Sequence, residues 1–239
     1  MCGAGARDTE SNLDKDIILR DTKKIAIYGA GGFAREVAWL LSAYEKKEIF
    51  DVVCYIEDDS DGDRSLNGKP IFSWQHFSTF FTHDVLIAVA VGNPQDREKL
   101  VNKCIAAGFS FPTLIHHTVE MSEFVELSVG AIICCGSILT VNIKIDEHVH
   151  INLGCSVGHD VRIGAFSTLS PSVHVSGNVH IGKSVYIGTN ASIINGTTEK
   201  PLIIADGTVI GAGACVTKNT EPNSLYAGVP AEFKKRYTL

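Results

Sequence analysis

IDEHVHINLGCSVGHDVRIGAFSTLSPSVHVSGNVHIGKSVYIGTNASI, residues 145–193, is the stretch whose reading decides the fold. One large aliphatic returns every six residues: Ile145, Ile151, Val157, Ile163, Leu169, Val175, Ile181, Ile187 and Ile193. Extended back to Ile115, the same phase gives fourteen consecutive apolar positions and no polar one. A second phase, two residues earlier, favours small or β-branched side chains, among them Val149, Cys155, Val161, Ser167 and Val173. The residue after each aliphatic is usually small or turn-forming, as with Asp146, Asn152, Gly158 and Gly182. Hexapeptide repetition of this kind marks a parallel β-helix. Each unit is a short strand plus a corner, three units close one triangular coil, and residues eighteen apart stack at the strand spacing of about 4.8 Å. A β-sandwich would instead show period-two alternation with irregular turns.

The phase breaks once, resuming after Ile193 at Ile204, Ile210 and Val216. The interval of eleven residues predicts a loop at Thr197–Pro201 thrown out from the coil. After the coils, residues 221–239 (EPNSLYAGVPAEFKKRYTL) leave the repeat as a tail with basic Lys234, Lys235 and Arg236. Capping the open end of the solenoid is one reading of this tail; contact with a cofactor's phosphates is the other.

Before the repeat the pattern changes. Residues 1–22 are polar and charged without periodicity and read as a leader. KIAIY, residues 24–28, is a buried strand running into Gly29-Ala30-Gly31-Gly32-Phe33-Ala34 and then an amphipathic helix near 34–44. Strand, glycine turn and helix form a phosphate-binding unit, because glycines let the backbone approach an anion that the helix N-terminus attracts. A second strand near 52–56 ends in Glu57-Asp58-Asp59, where a carboxylate can accept hydrogen bonds from a ribose or base. A loop at 60–69, a helix near 74–81, a strand near 85–91 and a helix near 94–107 complete a small α/β domain with a parallel sheet over 23–112. The GxGxxA spelling also fits a dinucleotide fingerprint. Glu57, however, lies 28 residues past Gly29, and roughly 90 residues hold one mononucleotide half with no room for the other. A single nucleotide, the end of a sugar nucleotide, is the expectation.

Composition narrows the class. The 239-residue chain has a net charge of −6, a pI near 5.8, 45% hydrophobic residues and a mean hydropathy of +0.13. That balance leaves a substantial core and no basic footprint for nucleic acid or an anionic membrane. No run of eighteen apolar residues and no signal-peptide pattern are present, so a cytoplasmic protein is expected. Seven cysteines, none in a CxxC pair, read as thiols in a reducing compartment.

The βα domain, the solenoid, and Ile151-Asn152-Leu153-Gly154-Cys155-Ser156-Val157-Gly158-His159-Asp160 coincide with Gly92-Asn93 and Gly228-Val229-Pro230-Ala231. Together they resemble the bacterial sugar O- and N-acetyltransferases of the NeuD/PglD type, over about residues 23–232. The resemblance implies a Rossmann-like nucleotide-sugar-binding domain at 23–112 and a left-handed parallel β-helix at 113–220, an exception to the usual crossover hand. It implies homotrimers with intersubunit active sites, acetyl-CoA as co-substrate and a nucleotide-linked amino sugar as acceptor. The catalytic histidine falls on His159 and its acidic companion on Asp160. Acetyl-CoA positions fall on Thr168, Thr189 and Ala212; sugar-nucleotide positions fall on Gly31, Gly32, Phe33, Glu57 and Asp58. Phe33 and Thr168 both stand where relatives carry histidine.

Read on its residues, the chemistry is coherent. Acyl transfer to an amine needs a base for the amine's proton, and imidazole beside a carboxylate supplies one. His159 sits two residues past an inward valine, so its ring leaves the coil at a corner. Asn152 orients that base or makes the corner turn. His150, His174 and His180 share an outward phase but fall on three different faces, which argues against a zinc site; no metal is expected. The activity expected is N-acetylation of a nucleotide-linked 4-amino-4,6-dideoxy hexose. The alternatives are O-acetylation of sialic acid or another sugar, a non-catalytic nucleotide-sugar-binding trimer, and a metal-dependent hydratase.

Overall fold

The computed structural model describes residues 22–43, 49–60 and 64–237; the leader expected at 1–22 lies outside them save for Thr22. The first unit is a five-stranded sheet with helices on both faces. In chain order it comprises β1 (Thr22–Tyr28), α1 (Gly32–Ser42), β2 (Ile49–Glu57), β3 (Ser65–Leu66), β4 (Lys69–Ser73), α2 (Trp74–Phe80), β5 (Leu86–Val89) and α3 (Pro94–Ala106). The strand order is β3-β4-β2-β1-β5, parallel except for the short β3–β4 pair. That pair occupies part of the segment expected as loop at 60–69: Asn67 and Gly68 take positive φ and turn the chain back on itself.

Alternation along β1 explains the layering. Ile25 and Ile27 point to α1, packing with Ala34, Val37, Leu40 and Leu41. Ala26 and Tyr28 point the other way, to Phe77 of α2 and Val101 and Cys104 of α3. Helices α2 and α3 start where capping chemistry puts them: the Ser73 side chain accepts from His76 N at 3.1 Å, and Asn93 accepts from Asp96 N at 3.0 Å ahead of Pro94. The chain moves outward from β1 to β2 and later crosses back to β5, so the sheet switches direction between β1 and β5. Crevices at such switch points bind ligands at the carboxyl ends of the strands.

From Leu114 onward the chain is a left-handed parallel β-helix. Its strands form three sheets. The first runs from Glu120–Met121 through Ser156–Val157 to Cys215–Val216, the second from Val125–Leu127 through Arg162–Ile163 to Leu202–Ile204. The third starts at Leu114–Ile115 and passes through His150–Ile151, Thr168–Leu169 and Tyr186–Ile187 to Val209–Ile210. Register is eighteen residues throughout, as in Ile145 on Ile163 and Leu139 on Val157. It lengthens at the expected loop, where Ile181 pairs with Ile204. Thr197 and Lys200 bond each other's backbone to close that loop. Both inward phases form the core: Val149, Ile151, Cys155, Val157, Val161 and Ile163 are all within 1% of full burial.

Corner geometry follows a rule that composition masks. From Ile133 to Ile193, the residue three before each aliphatic takes left-handed φ: Gly130, Gly136, Asn142, His148, Gly154, Asp160, Phe166, Ser172, Asn178, Ser184 and Asn190. Glycine, Asn and Asp tolerate that region well; a phenylalanine there is held by its surroundings. Beyond the repeat, Ser224–Ala227 adds one more rung to the third sheet, and Glu232–Arg236 folds back antiparallel on it. Tyr226 and Ala231 pack on the end of the core, so the tail caps the prism. Among the described residues no helix is long and apolar enough to cross a membrane.

The two units share one junction. Phe33 and Leu153 pack with Leu114, Ile132 and Cys134 on one flank; Ala165 and Phe166 pack with Phe109 and Phe111 on the other. Ile132, His150 and Thr168, outward residues of the third sheet, are therefore buried.

Candidate active site

His159 stands at the corner after Ser156–Val157, and its ring leaves the coil. Its Nδ1 lies 2.8 Å from Asp160 Oδ2, with the two side chains 57% and 46% exposed. Asp160 takes φ of 57°, the left-handed corner position, which turns its carboxylate back beside the preceding ring. From the coil below, Asn142 Nδ2 donates to Asp160 Oδ1 at 3.2 Å. Hydrogen bonds from His159 and Asn142 hold the Asp160 carboxyl below the usual carboxylate range. An ionised Asp160 only accepts, so Nδ1 carries the proton and Nε2 keeps its lone pair. The imidazole folds over Gly177 of the next coil: a Cβ there would lie 2.4 Å from Nε2 and 2.5 Å from Cε1. The result is an exposed imidazole whose tautomer is fixed by a carboxylate and whose position is fixed by a glycine.

Asn152 is not brought to this ring. It is buried at the corner after His150–Ile151, where its Nδ2 donates to Leu169 O at 3.2 Å and its backbone carbonyl accepts from Ser137 Oγ at 2.9 Å. Of its two readings, these bonds within the stacked corners match the turn.

Thr168, Thr189 and Ala212 lie on or beside the third sheet, not at the His159 corner. Thr168 is buried at the junction; its Oγ1 donates to Gly92 O at 2.9 Å and accepts from Arg97 at 3.0 Å. Thr189 and Ala212 are exposed on successive rungs of one edge, where Gly213 N donates to Thr189 O at 2.8 Å. Within one chain, then, the residues expected to meet acetyl-CoA and the base occupy different edges of the prism.

Of the sugar-nucleotide candidates, Glu57 and Asp58 share one crevice, which Gly31, Gly32 and Phe33 do not line. A crevice of about 390 Å³ opens at the carboxyl ends of β1 and β2, lined by Tyr28, Gly29, Ala30, Glu57, Asp58 and Arg64, among others. Gly29 takes φ of 113° and packs so tightly that a Cβ would lie 3.1 Å from Ala90 O. Gly31 and Gly32 meet no such wall: a Cβ on Gly31 would find nothing within 4 Å, and one on Gly32 only the tip of Arg35. Their smallness leaves the start of α1, whose N-cap Gly31 makes no side-chain bond, open to an anion. Glu57 Oε2 receives Arg64 at 2.6 Å. Asp58 accepts from Lys103 Nζ at 2.7 Å and from the Tyr28 hydroxyl. Burial opposes ionisation of Asp58, but those two bonds outweigh it and lower its pKa. Phe33 lies at the junction, its ring 5.1 Å from that of His150.

Sequence reasoning passed over four participants. Asn142 and Gly177 were legible as the residues eighteen before Asp160 and eighteen after His159. Lys103 and Tyr28 carried no sequence signal, because α3 and β1 meet only in the fold. His150, His174 and His180 stand on three different sheets, and no cluster of three or more metal-ligating side chains occurs among the described residues.

The fold and this geometry can be set beside known proteins. Residues 24–104 match the PglD N-terminal domain. The chain is 30% identical over 211 residues to the GDP-perosamine N-acetyltransferase of Escherichia coli O157:H7, covering 88% of this chain and 96% of the relative. Among solved structures, WeeI from Acinetobacter baumannii AYE is 35% identical with a TM-score of 0.81, covering 88% of this chain and 99% of WeeI. PerB from Caulobacter crescentus, solved in complex with CoA and GDP-perosamine, is 27% identical with a TM-score of 0.78, covering 89% and 97%. By its sequence along nearly its whole length, and by the α/β unit joined to a hexapeptide β-helix, the chain belongs to the NeuD/PglD-type sugar acetyltransferases.

Proposed function

We propose that the protein transfers the acetyl group of acetyl-CoA to the amino group of a nucleotide-linked 4-amino-4,6-dideoxy hexose, with GDP-perosamine the leading acceptor. The nucleotide identity is carried over from the E. coli and C. crescentus relatives. The observation that carries the chemistry is the exposed His159 with Nδ1 bonded to Asp160 and Nε2 without a hydrogen bond among the described residues. His159 Nε2 takes the proton from the sugar amine as the amine nitrogen attacks the thioester carbonyl. The C–S bond then breaks, the proton passes to the departing thiolate, and the products are an amide and CoA. Asp160 stabilises the imidazolium while it lasts; Gly177 keeps the ring over the reacting atoms.

In this reading residues 23–112 hold the nucleotide sugar, with Glu57 and Asp58 lining the pocket, Gly31 and Gly32 at the start of α1 beside it, and Phe33 at the junction. Residues 113–220 hold the acyl donor along Thr168, Thr189 and Ala212, and 221–239 cap the prism. The donor and base positions lie on different edges of one prism, so we assign the site to two neighbouring copies in a homotrimer. Ile138 and Phe124, exposed by 45% and 60% near the His159 edge, supply apolar surface for that contact. The reaction belongs in the cytoplasm, and its product in surface-polysaccharide assembly such as O-antigen.

The test is thiol release from acetyl-CoA with GDP-, UDP- and dTDP-linked 4-amino sugars, with the product's mass read for an amide. Turnover of a nucleotide amino sugar supports the reading. Acetylation of sialic acid hydroxyls alone would replace it with the O-acetyltransferase.

A further inference from the structure

Among the described residues Arg97 is the largest fully buried side chain, 0% exposed. It falls on the buried stripe of α3 with Pro94, Val101 and Cys104, a spacing that normally selects an apolar residue. No carboxylate neutralises it in any ion pair among the described residues. Its partners are acceptors drawn from both units. From the first, Nη1 donates to Val91 O at 2.7 Å and Gly92 O at 3.3 Å, the turn after β5 at the sheet's switch point. From the β-helix, Nε donates to His148 O at 3.0 Å, and Nη2 donates to Phe166 O, to Ser167 O at 3.2 Å and to Thr168 Oγ1 at 3.0 Å. Nη1 also lies 3.1 Å from His150 Nδ1. A guanidinium only donates, so that nitrogen accepts and His150 is the neutral Nε2–H tautomer.

Adhesion does not require this arrangement. Apolar clusters already seal the junction on both flanks of Arg97. A buried cation is a costly way to add more glue; what a planar fork adds is direction. Its bonds also fix the two left-handed corners at His148 and Phe166, whose rings stack at 5.4 Å with an interplanar angle of 7°. The Thr168 hydroxyl completes the link by donating to the same Gly92 carbonyl. Gly92 in turn stands beside the phosphate-loop wall, since Ala90 O and Val91 Cγ2 are the atoms closest to a Cβ on Gly29.

We infer that Arg97 is a positioning residue for acetyl transfer: it fixes the Val91–Gly92 turn, which backs the glycine loop of the nucleotide crevice, against the Thr168 rung of the β-helix, and so sets the distance between acceptor and donor. This rests on the acetyltransferase reading. In that reading the nucleotide sugar is held by the first unit and the acyl donor by the β-helix, so loss of the fork disturbs their mutual alignment more than either binding. Misplacement of reacting groups by about 1 Å is enough to cost on the order of a hundredfold.

The experiment uses the full-length chain with Arg97→Lys and Arg97→Met, read by thiol release, by calorimetry with GDP and with CoA separately, and by thermal melts. Lysine keeps the charge without the fork; methionine keeps the bulk without either. The expected result is a folded Arg97→Lys whose affinities for GDP and CoA stay within about threefold of the parent while kcat falls at least tenfold. Arg97→Met is expected to fall as far or further. Wild-type kcat in folded Arg97→Lys overturns the inference. So does a kcat loss that merely tracks the unfolded fraction, or a loss of ligand binding equal to the loss of turnover. If the parent itself acetylates no nucleotide amino sugar, the functional reading fails instead, and that outcome is visible before any Arg97 variant is made.

Discussion

Replacing Gly177 with alanine places one methyl group under the His159 ring. The new Cβ would lie 2.4 Å from Nε2 and 2.5 Å from Cε1, so the ring must retreat about 1 Å to reach ordinary contact at 3.4 Å. The backbone does not resist the change, because φ at Gly177 lies outside the left-handed region. The ring yields easily as well, since the His159 side chain is 57% exposed. Stability should therefore hardly move. Catalysis should, because a displacement near 1 Å at a reacting group costs about a hundredfold, equivalent to about 2.7 kcal/mol of barrier. The expected phenotype of Gly177→Ala is a melting temperature within about 2 °C of the parent, near-parental affinity for CoA and nucleotide, and kcat down by about two orders of magnitude. Steady-state thiol release with paired melts measures both. Full kcat in a folded Gly177→Ala would refute the placement of Nε2 over Gly177 as the reactive geometry.

Two further outcomes follow from the same geometry. Asp160→Asn removes the acceptor that fixes the His159 Nδ1–H tautomer while leaving the size of the side chain; kcat should fall by about ten- to a hundredfold with KM for acetyl-CoA unchanged, read from initial rates. Burial, with Arg97 adding to it and Glu147 opposing, pulls the pKa of His148 down to about 4. The folded pKa is depressed below the unfolded value near 6.5, so the neutral ring's contribution is full above about pH 6.5 and is lost as pH falls toward 4. The loss is about 2 kcal/mol by pH 5. His150, buried beside Arg97 and His148, shifts the same way and adds to it. Denaturant unfolding at pH 7 and pH 5 should show the drop, and His148→Phe should shrink it.

The prism was legible because its cause is periodic. From Ile133 onward the aliphatic at every sixth residue is the core residue of its rung, and the broken phase after Ile193 marks the loop closed by Thr197 and Lys200. The left-handed corner three residues earlier was obscured by its variety, since Gly, Asn, Asp, Ser, His and Phe all occupy it. His159 and Asp160 were legible as neighbours on a corner, and the structure joins them. Asn152 was legible only as one of two readings, because the direction of an amide at a corner depends on the rungs above and below. The face of the third sheet illustrates the limit best. His150 and Thr168 follow an outward phase, yet both are buried, because another part of the chain sits on them. A phase fixes which way a side chain leaves its own coil and says nothing about what then covers it. Arg97 had a visible trace, a charged residue on the buried stripe of α3, but its acceptors are scattered from Val91 to Thr168.

The most direct measurement is turnover of His159→Ala with acetyl-CoA and GDP-perosamine, alongside calorimetry with each ligand. The account predicts kcat lowered by about 10² to 10⁴, both ligands still bound, and an unchanged melting temperature. Parental turnover in the folded variant would contradict it, because the proton would then leave the amine without the imidazole.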